Sequence, residues 1–163
     1  MQSHVAMAVT LLVTSILAPA FPSQAEPDVW ATPKDAERIV HGAVARIKKV
    51  GKEKAFAAFN DPQGSFTYRD LYVMVYDFSG KCLAHGGDQG RIGRDLSNDK
   101  DADGKPFIKE RVAMAKADGK GWQEYKFKNP LSKNIEQKIV YFEVVDDVIV
   151  ACGAYKSLGS KQD

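Results

Sequence analysis

The chain has 163 residues, 44% of them hydrophobic and 27% charged, and a net charge of +2 from 23 basic and 21 acidic side chains. That is the composition of an ordinary globular protein, which argues against disorder and, with no fixed-period repeat, against a solenoid. The charges are interspersed, and nothing in their distribution suggests a nucleic-acid stripe or a polybasic lipid-binding tail.

Val5 to Ala20 is a near-continuous apolar run, too short and too rich in Ala, Thr and Ser for a membrane span. Phe21-Pro22-Ser23-Gln24-Ala25 follows it and places small residues where a signal peptidase reads. A leader over residues 1–25 is therefore expected, cleaved after Ala25 or, as second choice, after Ala20. Residues 1–4 carry no Lys or Arg, and an uncleaved membrane anchor is the alternative. Cleavage implies a periplasmic or secreted protein with no membrane span remaining. One domain over residues 26–156 and a polar tail over 157–163 complete the expected organisation.

Thr32 is a good N-cap, Pro33 suits the first helical position and Asp35 favours the positive dipole end. The helix they open carries Ala36, Ile39, Val40, Ala43, Val44 and Ile47 on one face, and Gly51 stops it. A shorter helix, Lys52 to Phe59, buries Phe56 and Phe59 and ends at Asn60-Asp61-Pro62. A turn at Gln63-Gly64 follows. The period then changes to two. Leu71 to Phe78 is a strand with Tyr72, Met74 and Tyr76 on one face and Leu71, Val73 and Val75 on the other, apolar or aromatic on both sides. Ser79-Gly80 turns the chain into a second strand, Lys81 to His85. After a glycine-rich loop, Pro106 to Ala117 is an amphipathic helix bearing Phe107, Ile108, Val112 and Ala115, ended by Gly119 and Gly121. Three strands remain: Trp122 to Lys128, Ile135 to Val145, and Val148 to Tyr155. Helices and strands in this order predict an α+β domain with one antiparallel sheet.

The run of segments GKEKAFAAFND, DLYVMVYDFSGKCLAHG, DADGKPFIKE, GWQEYKFKNP, QKIVYFEVV and ACGAYK resembles a single Cache domain, the PAS-like extracytoplasmic sensor of bacterial chemoreceptors and sensor kinases. The resemblance covers Thr32 to Lys156. It implies a five-stranded antiparallel sheet of order 2-1-5-4-3, with the long N-terminal helix on one face and the loop-helix insertion over the other. It also implies a small-molecule ligand, typically a small carboxylate, bound under that insertion. Family members pass a shape change through a membrane helix. None is expected here after Lys156, so signalling would need a separate membrane-bound partner.

Several constellations bear on chemistry. Asp99, Asp101, Asp103, Gly104 and Glu110 fit the calcium-loop pattern D-x-D-x-D-G-x5-E, which suits a hard cation. No entering helix precedes them, Pro106 sits where that loop offers a backbone N–H, and Lys100 and Lys105 dilute the negative field. The same residues are explained by a turn with aspartates at a helix N-terminus. His85, followed by Gly86-Gly87, could donate to a ligand carboxylate, or be a surface loop histidine. Lys138, on a strand of apolar neighbours, is either a buried cation awaiting an anion or a solvated one, depending on strand parity. Tyr72, Met74, Trp122, Tyr125 and Tyr141 are candidate pocket walls, each of which could instead be core.

Under the implied strand order, Cys82 and Cys152 lie about two strand spacings apart, roughly 9–10 Å. A disulfide needs Cα atoms within about 7 Å, so two reduced, buried thiols are expected. No nucleophile–base pair and no P-loop, CxxC, CxxCH or HExxH motif is present, so neither an enzyme nor a cofactor is expected. The leading reading is an exported sensor of a small anionic metabolite. A calcium-binding structural or adhesion module and a small enzyme on a PAS-like scaffold are the alternatives.

Overall fold

A computed structural model describes residues 30–156; the expected leader over 1–25 and the tail over 157–163 lie outside the described residues. Helix α1 spans Pro33–Val50. Thr32 Oγ1 accepts from the Asp35 backbone N–H at 3.2 Å while the Asp35 carboxylate accepts from the Thr32 N–H at 3.1 Å. This reciprocal capping box fixes the start of the helix. Gly51, at φ +82°, ends α1 and opens α2, Lys52–Phe59.

Two short strands follow, β1 (Thr67–Tyr68) and β2 (Leu71–Tyr72), then β3 (Met74–Asp77) and β4 (Cys82–His85). Helix α3 spans Phe107–Asp118 and leads into β5 (Lys120–Lys128), β6 (Ile135–Val145) and β7 (Val148–Tyr155). The main sheet is antiparallel, with order β4-β3-β7-β6-β5. Central strand β7 is buried along its whole length, because α1 covers one face of the sheet and α3 with the preceding excursion covers the other. Leu71, Val73 and Val75 pack toward α1 with Val148, Val150, Cys152 and Ala154. Tyr72, Met74 and Tyr76 pack on the α3 side with Ile149, Ala151, Val140 and Phe142. Among the described residues, no helix is long and apolar enough to cross a membrane.

Two local expectations need correction. The run Leu71 to Phe78 is not one strand. It breaks at Val73, and Leu71–Tyr72 pairs with Thr67–Tyr68 in a ribbon of its own. Arg69 takes φ +57° in that turn, an arrangement usually signalled by Gly or Asn, which explains why the pattern hid it. Gly121 does not end α3. Gly119 does so alone, at φ +74°. Gly121 lies within β5, where an added Cβ would come 3.2 Å from the Phe142 ring.

Cys82 and Cys152 are both free and buried. They belong to the clusters on opposite faces of the sheet, so the sheet itself separates them. Burial pushes the Cys82 thiol up to about 11 and the Cys152 thiol up to about 12, which keeps both protonated and inert at neutral pH.

The excursion between β4 and α3 is stitched to both borders of the sheet. On the β4 side, Gly93 N donates to Cys82 O at 2.8 Å and Cys82 N donates to Arg94 O at 2.9 Å. On the β5 side, Asp101 Oδ2 accepts from Lys126 N at 3.0 Å, and Lys105 Nζ donates to Glu124 O at 2.8 Å. Asp101, one of the four carboxylates of the calcium-loop pattern, is thus engaged with backbone of β5. Its Oδ1 accepts from the N–H groups of Asp103 and Lys105. Asp99 pairs with Arg91, Asp103 with Lys126, and Glu110 with Lys105. The four carboxylates are thus engaged by Arg91, Lys105, Lys126 and backbone N–H groups, and among the described residues no group of three or more His, Cys, Asp or Glu side chains converges as a metal site.

Candidate functional site

On the α3 side of the sheet, an open cleft of about 460 Å³ lies between β2, the start of the excursion and the β5–β6 loop. Tyr72, His85, Gly87, Arg91, Phe127 and Asn129 are among the residues that line it. The two glycines after His85 are there for close approach. A Cβ on Gly87 would sit 2.8 Å from the Tyr72 ring, and one on Gly86 would sit 2.8 Å from Phe59 O. The Tyr72 and His85 rings therefore lie near each other, with centroids 5.0 Å apart.

His85 is 2% exposed and neutral. Burial, with the nearby charges of Lys138 and Arg91, lowers it to about 3. Its Nδ1 accepts from Asp88 N at 2.9 Å, so the proton resides on Nε2, which remains a donor.

Lys138 lies directly behind Tyr72. Its side chain is wholly buried, and its Nζ is 2.8 Å from Tyr72 OH. Three rings surround the nitrogen, with the centroids of Tyr72, Tyr155 and Phe127 at 4.1, 4.6 and 5.8 Å. Gly153 on β7 makes this possible, since a Cβ there would press to 3.0 Å from Lys138 Cε. Among the described residues no carboxylate forms an ion pair with Lys138. Burial lowers it to about 7, and the charges of Arg111 and Arg91 push in the same direction against the pull of Asp70.

Two arginines complete the electropositive group. Arg111, on α3, is 1% exposed, and its Nε donates to Gln123 Oε1 at 3.1 Å. Gln123 is itself held by donating to Phe107 O at 2.9 Å. Both terminal nitrogens of Arg111 are buried without a partner, over the faces of Tyr76 and Tyr125 at 5.5 and 5.4 Å. Arg91 spends one nitrogen on Asp99, and its Nε is buried without a partner. Unpaired buried donors on a guanidinium are expensive, and of these two arginines Arg91 lines the cleft.

Of the seven residues expected at a site, Tyr72 and His85 border the cleft and Lys138 stands behind Tyr72. Met74 and Tyr125 share that face of the sheet but belong to the packed cluster. Tyr125 stacks on Phe107 with centroids 4.3 Å apart and an interplanar angle of 6°. Trp122 and Tyr141 do not border the cleft. They pair across β5 and β6 on the opposite face, 5.0 Å apart, and Tyr141 OH meets His41 of α1. Strand parity is the reason: with Tyr125 and Lys138 facing the cleft side, residues three positions away face α1. Arg91, Arg111 and Tyr155 were not anticipated. Arg111 had left a trace, a cation on the apolar stripe of Ile108, Val112 and Ala115.

The single Cache domain 2 family matches residues 24–157. This chain belongs to that family. Membership supports a sensory, ligand-binding role and fits a PAS-like α+β domain. Among solved structures, a Cache chemosensory domain described as recognising carboxylic acid is similar at TM-score 0.65 and 19% identity, over 76% of this chain and 92% of that one. A methyl-accepting chemotaxis protein from Vibrio parahaemolyticus RIMD 2210633 has TM-score 0.65 and 21% identity, over 75% and 86%. A periplasmic sensor domain of a chemotaxis protein has TM-score 0.60 and 23% identity, over 76% and 90%. At these identities the likeness establishes the shared fold. No match is found among curated proteins.

Proposed function

We propose that this Cache protein is an exported sensor module that binds a small carboxylate in the cleft beside His85 and signals through a separate membrane-bound partner. The observation that carries this reading is Arg91, which lines the cleft with its Nε buried and unpartnered, with the unpartnered terminal nitrogens of Arg111 and the buried Lys138 on the same face of the domain. A carboxylate matches the forked donors of a guanidinium, and its negative charge relieves the mutual repulsion of Lys138, Arg91 and Arg111. His85 adds a neutral donor from Nε2, and Tyr72 and Phe127 supply apolar walls. The description of one similar structure as a carboxylic-acid recogniser has the same chemistry. Export rests on the residue pattern before Ala25.

Thermal melts with pyruvate, lactate, acetate, propionate and larger acids test the binding. A ligand at a hundred times its Kd stabilises the fold by about 2.7 kcal/mol, which is a clear rise in melting temperature. No rise with any acid removes the carboxylate reading. The mass of the protein recovered from the exporting cell tests the leader, with residues 26–163 expected.

A further inference from the structure

We propose that the end of the domain where the chain enters and leaves docks on an anionic bilayer surface. Leu131, Ile135 and Tyr68 enter the headgroup region there, and Lys128, Lys133 and Arg69 face the lipid phosphates. This docking is independent of the carboxylate site.

Strand direction brings these residues to one end. Strand β7 finishes at Tyr155, which pairs with Lys138 near the start of β6, and Lys156 N donates to Gln137 O at 2.8 Å. The loop joining β5 to β6, residues 129–134, therefore projects beside the point where the chain leaves the sheet. The entry lies at the same end. Asp70 Oδ1 accepts from Ala31 N at 3.0 Å, Arg69 Nη1 donates to Trp30 O at 2.8 Å, and the Tyr155 backbone faces the Asp70 carboxylate. Residues 1–29, with the apolar run Val5 to Ala20, precede this entry, so a leader engaged in a membrane holds this end toward the lipid.

What this end displays suits a lipid surface. Among the described residues four large hydrophobic side chains are exposed, and three are here: Tyr68 at 41%, Leu131 at 48% and Ile135 at 57%. The loop between Leu131 and Ile135 is firmly built. Asn129 is fully buried, its Oδ1 accepts from Leu131 N at 2.8 Å, and its Nδ2 donates to Glu136 Oε2 at 2.7 Å. Asn129 N donates to Asn134 O at 2.8 Å, and Lys133 holds φ +64°, a costly conformation for a residue with a side chain. A stiff loop that leaves two aliphatic side chains in water is preorganised for contact.

The charges agree. Lys128, Lys133 and Arg69 are exposed and form no ion pair among the described residues. Nearby carboxylates are engaged: Glu136 by Asn129 and Ser132, Glu124 by Lys156, and Asp35 by Arg38. Arg38 and Arg69 lie over the Tyr68 ring, 6.0 and 5.1 Å from its centroid, and a tyrosine beside cations is the composition of a membrane interface. Basic residues supply attraction to an anionic leaflet, and apolar insertion supplies the second signal that attachment needs. A bilayer receives a projecting tip without a preformed groove, which favours lipid over a protein as the occupant.

Vesicle flotation of the protein recovered from the exporting cell tests this. Vesicles of phosphatidylcholine mixed with phosphatidylglycerol are expected to carry the protein, and phosphatidylcholine alone to carry roughly tenfold less. Added salt is expected to release it. Leu131→Ser combined with Ile135→Ser is expected to lower partition into the mixed vesicles by roughly tenfold or more and still to melt cooperatively, because neither side chain is in the core. Should that double variant not fold, the fluorescence of the Leu131→Trp variant decides: a blue shift on adding mixed vesicles is expected, and its absence overturns the docking. Equal binding to both kinds of vesicle, or binding that survives in the folded double variant, overturns it, since a retained leader then accounts for attachment. No binding to the mixed vesicles also overturns it, in favour of a protein partner at this end.

Discussion

The two faces of the main sheet are built from one set of strands and put to opposite uses. The α1 face is packed with aliphatic residues, including Val40, Ala43, Ile47, Val73, Val75 and Val150, and among the described residues it buries no cation. The α3 face is aromatic and holds Lys138, Arg111, Gln123 and His85, four of the six buried polar side chains among the described residues. Burying aliphatic surface stabilises the fold, whereas burying unpaired cations opposes it. A domain of this size tolerates the second face because the first is so thoroughly apolar. Stability and recognition are divided between the two sides of a sheet one strand thick.

That division can be attacked from either side. The largest effect is expected on the α1 face, where Ile47→Ala should lower unfolding free energy by about 2–5 kcal/mol in a denaturant titration. It should leave the response to carboxylates intact. A parallel loss of ligand response would mean that the faces are not separable. On the other face, Arg111→Met should weaken acid binding by roughly 2–5 kcal/mol in calorimetry while the ligand-free melt stays cooperative. Lys138→Met should stabilise the ligand-free protein by about 1–3 kcal/mol at pH 6, because it removes an unpaired buried charge. The sign of its pH dependence follows from the lowered Lys138. Below about 7 the folded state carries the buried cation in full. As pH rises from there toward the ordinary lysine value of 10.5, the folded state loses its proton before the unfolded state, so the unaltered protein gains stability and the advantage of Met shrinks.

For the same reason, an anion that recharges Lys138 is bound with proton uptake. Affinity should fall as pH rises above 7, by at most about tenfold per unit. Calorimetry in buffers of different ionisation heat checks this, and a flat profile would separate Lys138 from the bound charge. The smallest effect belongs to the excursion, where Asp101→Ala should cost about 1–3 kcal/mol through lost backbone hydrogen bonds. Calcium should shift the melting temperature of neither form; a calcium-dependent rise would restore the metal reading.

Much of this architecture was legible because local signals agreed with one another. The capping box at Thr32, the helical stripe to Ile47 and the uninterrupted apolar run of β7 each follow from short-range chemistry. The alternation of Leu71, Val73 and Val75 against Tyr72, Met74 and Tyr76 assigned those residues to the two faces correctly even though the strand is broken. The site was legible only in part. Tyr72, His85 and Lys138, singled out as polar residues in apolar settings, lie together on the α3 side of the sheet. Trp122 and Tyr141 were misplaced because the face that each strand turns toward α3 is set by pairing, not by composition. Arg91 escaped because an exposed and a buried arginine look alike in a loop, and Arg111 because its place on the apolar stripe of α3 was passed over. Only the positions of their neighbours, fixed by tertiary packing, distinguish them.

The lacing of the excursion along both margins of the sheet limits how a receptor can be engaged. Asp101 and Lys105 occupy backbone groups on the outer side of β5, and Gly93 and Arg94 do the same for β4. At those points the margins have no vacant ladder for a docking strand, so a downstream protein must read side chains. The segment that supplies this lacing also contains Arg91 and leads into the helix of Arg111. Arg91 and Arg111 therefore sit on, and directly after, the one segment that is tied to both borders of the sheet.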